Sequence, residues 1–233
     1  MSSPRKALVT GSAGGIGWAI ASALAEAGYE VLGVDIRDAP SGSSFEQEVL
    51  DLSDPEAISE FTARHAKVDV LVNNAAVLVD RPLSETTLDD MQRLFEINMR
   101  APVLLTRALL GGMRQGNWGR IINISSVGAR TGGMSDTSVY NMTKAAIASF
   151  TRFTARHEAR FGITSNAIAP GGILTRMSEH LSPDQVAAFI AHIPVGRMAE
   201  PEEVAGAAVF LASDGARFVN GVTMDVNGGM IMV

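Results

Sequence analysis

Tyr140 and Lys144 stand four residues apart in the run Ser138-Val139-Tyr140-Asn141-Met142-Thr143-Lys144-Ala145-Ala146. On a helix that spacing stacks a phenol and an ammonium on one face. A free phenol, with a pKa of about 10, is a poor base at neutral pH, but a fixed neighbouring cation favours the phenolate. The chemistry such a pair suits is proton transfer at an alcohol or carbonyl oxygen. Tyrosine and lysine four apart also occur on ordinary solvated helix faces, so the pair needs a partner elsewhere in the chain.

A partner stands near the N-terminus. The apolar run Lys6-Ala7-Leu8-Val9 enters Thr10-Gly11-Ser12-Ala13-Gly14-Gly15-Ile16-Gly17, and an Ala-rich helical stretch follows to Ala27 before Gly28. Strand, glycine loop and helix in that order make a phosphate cradle, because glycine lets the backbone approach closely and helical N–H groups favour negative charge. The spacing is G-x-x-x-G-x-G rather than the commoner G-x-G-x-x-G of dinucleotide sites. The next apolar run, Tyr29 to Val34, ends in Asp35, 24 residues beyond Gly11 (35 − 11). An acid is needed close to there to hold an adenosine ribose.

With these motifs go Asn73-Asn74-Ala75, Asn98, Ser126, Pro170-Gly171 and Val226-Asn227-Gly228-Gly229. Together, in order and spacing and over essentially the whole chain, they resemble the short-chain dehydrogenase/reductases. The resemblance implies an oxidoreductase that interconverts a secondary alcohol and a ketone by hydride transfer, on a small-molecule substrate. Tyr140 would exchange the proton. Lys144 would stabilise the phenolate and hold the nicotinamide ribose, Ser126 would hydrogen-bond the developing alkoxide, and Asn98 would hold a water that links Lys144 to solvent. Ser126 lies one residue farther from the tyrosine than the family's usual spacing (140 − 126 = 14), which an insertion within 128–137 explains. Ser125 is the weaker candidate, since strand alternation points it the other way. The loop Arg130-Thr131-Gly132-Gly133-Met134-Ser135-Asp136 suits a substrate rim or a plain surface loop.

The resemblance also implies the cofactor contacts. The glycine loop contributes Gly11, Ser12, Gly14, Gly15, Ile16 and Gly17; Asp35 and Ile36 meet the ribose; Asp51 and Leu52 flank adenine; Asn74, Ala75 and Ala76 close the groove. Ala76 stands where the family usually has glycine. Pro170, Gly171, Ile173 and Thr175 form the nicotinamide loop. A carboxylate at Asp35 would accept from a ribose diol and repel the phosphate of NADP, so NAD is expected over NADP, with Arg37 close enough to reach a phosphate instead. The ending Asp225 to Val233 resembles bacterial 3-oxoacyl-acyl-carrier-protein reductases, which points to a 3-oxoacyl thioester. The acid at 35 and the short 37–46 segment also resemble NAD-dependent polyol, sugar or cis-dihydrodiol dehydrogenases. A regulator that binds the dinucleotide without catalysis would need only the glycine loop and Asp35.

These residues require a parallel sheet with crossover helices. Apolar runs predict seven strands near 6–10, 30–35, 46–50, 68–73, 119–125, 163–168 and 222–226. Helices are predicted near 16–27, 55–65, 88–112, 139–160, 183–191 and 201–212. Between Asp35 and Asp51, Arg37 to Ser44 carries too much turn chemistry for a crossover helix, so a loop is expected there. The expected architecture is α/β, a single Rossmann-type doubly wound domain over 1–233 with a substrate lid near 175–195. The lid's apolar residues are Met177, His180, Leu181, Phe189 and Ile190; Arg130, Arg176 and Arg197 could each meet a substrate carboxylate or phosphate. In this family the long central helices usually form dimer contacts, which implies a homotetramer or homodimer.

Composition sets bounds. The 233 residues suffice for one sizeable core, and a 46% hydrophobic content with mean hydropathy of +0.16 and no apolar run near 18 residues gives no membrane span. A formal net charge of −6 with scattered cations disfavours nucleic acid or anionic membrane as partner. The absence of cysteine excludes disulfides and thiolate chemistry, and His65, His157, His180 and His192 show no metal-ligand spacing. No signal-type segment precedes the first strand, so cytoplasmic residence is the default expectation.

Overall fold

A computed structural model describes residues 3–133, 135–179 and 182–233. Its seven strands are β1 (Lys6–Thr10), β2 (Glu30–Asp35), β3 (Glu46–Val49), β4 (Val70–Asn73), β5 (Gly119–Ile124), β6 (Ile163–Pro170) and β7 (Thr223–Val226). They form one parallel sheet in the order β3-β2-β1-β4-β5-β6-β7. The order reverses between β1 and β4, and beyond the carboxyl ends of strands at such a switch point a crevice opens. This is the doubly wound sheet expected from the sequence.

Helices cover both faces. On one, α1 (Gly15–Glu26) packs against α8 (Pro201–Ala212), joining Ile20 and Leu24 to Val204 and Leu211 over the sheet residues Val9, Val72 and Ile122. On the other, α2 (Pro55–Arg64) and α4 (Ala101–Gly116) bury Ile58, Phe61, Leu105 and Leu109 against Leu8, Leu71 and Ile121. Each such side chain stabilises by roughly 1.5–3 kcal/mol on leaving water. The long α6 (Ser138–Glu158) lies along β5 and β6 and carries Tyr140 and Lys144. Asp54 caps α2 by accepting from the N–H groups of Glu56 and Ala57, and Pro55 occupies the first turn.

Two departures from the sequence reading lie beside the cleft. The helix expected over 88–112 is broken into α3 (Leu88–Phe95), a π-helical turn at Glu96–Arg100, and α4. Pro102, in the first turn of α4, has no N–H to return to the carbonyl of Asn98, so an unbroken α-helix there would lose a rung. The second is α5 (Gly128–Thr131), a single turn where only loop was expected. The segment between β2 and β3 carries no helix, as expected. Instead Phe45 packs against Trp18, ring centroids 5.1 Å apart, and pins the edge strand β3 to the start of α1. The remaining helix, α7 (Pro183–Ile190), starts at Ser182 with a reciprocal cap to Gln185 and has no buried residue.

Candidate active site

A continuous cleft of about 940 Å³ runs across the carboxyl ends of the strands. Its floor at one end is the glycine loop. Gly15 takes a φ of 55°, open to glycine at little cost. Gly17 has a different duty: a Cβ there would drive into the carbonyl of Gly11, so the missing side chain lets α1 seat on β1. No side chain caps α1, so its first N–H groups remain available to an anion. Gly11, Gly14, Gly15 and Ile16 line the cleft, whereas Gly17 does not. Nor does Ser12: it is fully buried, packs where Gly33 has no side chain, and donates to Gln47 at 2.8 Å. Ser12 was expected among the cofactor contacts; its hydroxyl is turned to Gln47 instead of the cleft. Ser12 ties the loop to β3.

Asp35, Ile36, Asp51, Leu52, Ala75 and Ala76 form the adjoining walls. Asp35 is not a free carboxylate. One oxygen accepts from the Ala13 N–H at 3.1 Å, and the other from the Arg37 N–H and Nε at 3.1 and 3.2 Å. The Arg37 guanidinium thereby reaches toward Gly14, with its terminal nitrogen 3.9 Å from where a Cβ would stand. Gln47 accepts from Ser12 and donates to the Arg37 carbonyl, so one edge-strand side chain braces both the glycine loop and this rim. Asn74 also lines the cleft, but its side chain donates to the carbonyls of Thr10 and Gly11 and holds β1 to β4. Asn73 donates to Asn123, which donates to Thr151 on α6.

The loop expected to hold nicotinamide follows β6. Pro170, Gly171, Ile173 and Thr175 all line the cleft. Gly171 packs on the backbone of Asn227, and Thr175, capped by Ser178, brings its side chain against Gly15 from the opposite bank. This loop therefore meets the glycine loop across the cleft. Beyond it, Gln185, Ala188, Phe189 and His192 on or after α7 face the same space. His180 and Leu181 of the expected lid, and Met134 of the substrate loop, lie outside the described residues.

At the centre, the Ser126 hydroxyl stands beside the Tyr140 phenol, both on the cleft wall. Burial pushes the phenol up to about 12, the neighbouring Ser126 hydroxyl opposing it. Ser126 Oγ accepts from the Gly128 N–H at 3.1 Å. Ser125, by contrast, is buried and donates to the Lys144 carbonyl at 2.9 Å, so the two neighbouring hydroxyls are separated as strand alternation requires. Lys144 is 3% exposed, donates to the Ile124 carbonyl at 2.8 Å, and is pushed down to about 8 by burial. Its Nζ sits 5.5 Å from the Tyr140 ring centre. Burial thus works against the phenolate that the Tyr-Lys spacing favours.

Asn98 is 1% exposed and does not line the cleft. Its carboxamide accepts from the Val77 N–H at 2.9 Å and donates to the Val77 carbonyl and Thr143 Oγ1 at 3.0 and 3.1 Å. Both of its hydrogens are committed, so the side chain is a brace between the β4 turn and α6. Pro102, which has no N–H, cannot return an α-helical bond to the Asn98 main-chain carbonyl. Among the described residues no cluster of histidine, cysteine or carboxylates is arranged to hold a metal.

Comparison with known proteins agrees with this geometry. The family model described as Enoyl-(Acyl carrier protein) reductase matches residues 11–231. The chain is 37% identical to the 3-oxoacyl-[acyl-carrier-protein] reductase of Vibrio cholerae, over 97% of each chain. The chain belongs to the short-chain dehydrogenase/reductase family. It is 37% identical over 97% of its length to the Escherichia coli 3-oxoacyl-[acyl-carrier-protein] reductase as well. Among solved structures it is similar to a Beutenbergia cavernae protein provisionally assigned as an NAD(P)-dependent gluconate 5-dehydrogenase, with NADP bound at low occupancy. The TM-score is 0.92 and the identity 37%, covering 97% and 96% of the two chains. An Agrobacterium tumefaciens protein provisionally assigned as a 2-deoxy-D-gluconate 3-dehydrogenase, with bound NADP, gives 0.89 and 35%, covering 97% and 96%. The short-chain dehydrogenase/reductase described here is an NAD(P)-dependent oxidoreductase that acts on CH–OH groups.

Proposed function

We propose that this enzyme reduces a 3-oxoacyl thioester to the 3-hydroxy compound with NADPH. The observation that carries the reading is the Tyr140 phenol beside the Ser126 hydroxyl in a cleft also lined by Met177, Phe189 and Met198, in a chain 37% identical to two 3-oxoacyl-[acyl-carrier-protein] reductases. A protonated phenol suits reduction, in which the carbonyl oxygen must gain a proton. The cofactor, when bound, supplies the hydride that the carbonyl carbon receives. Its pyrophosphate would lie on the uncapped N-terminus of α1, its adenosine end between Asp35 and Asp51, and its nicotinamide beside Ile173 and Thr175. Ser126 would donate to the carbonyl oxygen and strengthen that bond as negative charge develops. Tyr140 would give its proton to the same oxygen. Lys144, still charged at pH 7, would steady the resulting phenolate, and a water on the Asn98 carbonyl would return the proton. Asn98 is in this reading a positioning residue.

The choice of NADP revises the expectation from Asp35. That expectation took the acid as unpaired, and its pairing with Arg37 cancels much of the repulsion toward a phosphate while aiming a guanidinium past it. The NADP carried by the two solved relatives supports the same choice. A second reading, oxidation of a sugar acid, is favoured by those two relatives and by Gln185 and His192 at the cleft mouth. Rates with acetoacetyl-coenzyme A and with gluconate, each with both cofactors, separate the two. Faster turnover of gluconate with NAD than of the thioester with NADPH would reject the first.

The 1–233 chain is read as one domain whose 175–195 segment closes over substrate. Val103 on α4 and Met142 and Phe153 on α6 are exposed, which supports a second copy of the chain against these helices in a homotetramer or homodimer. Among the described residues no helix is long and apolar enough to cross a membrane, in keeping with a cytoplasmic enzyme.

A further inference from the structure

Between Ser126 and Tyr140 the chain must leave β5, cross the cleft mouth and turn back into α6. Gly132 and Gly133 both take positive φ, 83° and 99°, so the loop backbone brings little stiffness of its own. Arg130 ties its start to Asp225 and the Thr223 carbonyl, the Arg81 N–H donates to the Asp136 carbonyl, and one side chain on the returning helix holds its middle. Asn141 is 5% exposed and lines the cleft; its Nδ2 donates to the Gly132 carbonyl at 2.8 Å and to Thr137 Oγ1 at 3.0 Å. Its main-chain N–H donates to the Thr137 carbonyl at 3.0 Å. A Cβ added to Gly128 or to Gly133 would collide with the same carboxamide, so the loop wraps it from both ends. Gly128 then passes the constraint on, since its N–H donates to Ser126 Oγ, the partner of Tyr140.

We propose that Asn141 is a positioning residue that clamps the 128–137 loop to α6 and so sets the Ser126 hydroxyl against the Tyr140 phenol. The inference rests on the roles read above for Ser126 and Tyr140. It also explains how a loop one residue longer than usual keeps its serine in place. The two donated bonds cannot be made by alanine or by aspartate. Loss of either holds the serine less firmly, and small misplacements of reacting groups cost large factors in rate.

The test measures kcat, KM, NADPH affinity and melting temperature for Asn141→Ala, Ser126→Ala and the double variant. The substrate is acetoacetyl-coenzyme A or gluconate, whichever the wild-type protein turns over faster. Asn141→Ala is expected to lower kcat about 10- to 100-fold with NADPH affinity within about twofold. In the Ser126→Ala background it should lower kcat by less than about twofold, because residues that act through one another are not additive. Gly133→Ala, which pushes the Asn141 carboxamide away from the loop side and leaves the α6 sequence unchanged, should reproduce the loss and decides the matter if Asn141→Ala does not fold. Wild-type kcat in Asn141→Ala or Gly133→Ala, with Ser126→Ala impaired, overturns the clamp alone. Multiplicative losses in the double variant do the same. Full turnover in Ser126→Ala overturns the role of the serine, and the clamp with it.

Discussion

Lys144 gives a prediction in which stability and activity move in opposite directions. Its ammonium is buried and donates to the Ile124 carbonyl oxygen, and burial lowers it from 10.5 to about 8. At pH 7 both folded and unfolded chains carry the proton there, so the folded state bears the whole cost of the buried charge. With 1.36 kcal/mol per unit, the 2.5 units between 10.5 and about 8 amount to about 3 kcal/mol. As pH rises through 8, the folded chain releases the proton while the unfolded chain keeps it until 10.5, so the unfolded state binds more protons and stability rises with pH. By pH 9.5 the remaining cost is about 1 kcal/mol on the same constants. Replacing Lys144 by methionine removes the charge, at an expense of about 1–3 kcal/mol for the orphaned Ile124 carbonyl. Urea midpoints of wild type and Lys144→Met, at one fixed protein concentration between pH 7 and 9.5, should therefore converge or cross. The variant's relative stability should fall by about 2 kcal/mol over that range, while its turnover is lost throughout. A constant offset between the two proteins would show that Lys144 titrates where a solvated lysine does, and would refute the desolvation argument.

Three further outcomes follow from the site. Tyr140→Phe should lower kcat by about 10²–10⁴-fold while NADPH titration by fluorescence gives nearly wild-type affinity; wild-type turnover would remove the phenol from the mechanism. Arg37→Ala should raise KM for NADP by about 10- to 100-fold and leave KM for NAD within about twofold, the loss of one charge-assisted contact. Equal changes for both cofactors would show that Arg37 does not face the phosphate. Gly17→Ala places a methyl group against the Gly11 carbonyl; it should destabilise the fold by about 1–3 kcal/mol in urea titration and weaken dinucleotide binding about tenfold or more. An unchanged midpoint would mean that α1 can withdraw from β1 without loss.

What the sequence made legible was whatever repeats along the chain or fills a glycine-shaped gap. Each strand of a sheet covered on both faces is a short apolar run, so Ala7 to Val9, Val70 to Val72 and Ile121 to Ile124 announce themselves, and the crossover helices fall between them. The missing crossover between β2 and β3 was legible for the same reason, from Pro40, Gly42 and the serines beside them. The break in the 88–112 helix was not read, although its signal was present: Pro102 sits well inside the apolar period, and a proline there frees the carbonyl four residues earlier. That carbonyl belongs to Asn98, the residue expected to hold a water.

The remaining discrepancies arise where a side chain is used by another part of the chain. Ser12 was assigned to the cofactor because of its place in the glycine motif, but Gln47, 35 residues on, draws its hydroxyl into the sheet. Asp35 was read as a free acid, and its meaning changes once Arg37 pairs with it, since a ribose acceptor and a phosphate-tolerant rim differ only in that contact. Tyr140 shows the limit most clearly. Its spacing from Lys144 foretold a shared face, and the shared face exists. The sign of the effect depends on depth, because burial acts on the phenol more strongly than an ammonium turned toward the Ile124 carbonyl. Spacing fixes which groups can meet; desolvation, which no local pattern encodes, shifts how tightly each of them holds its proton.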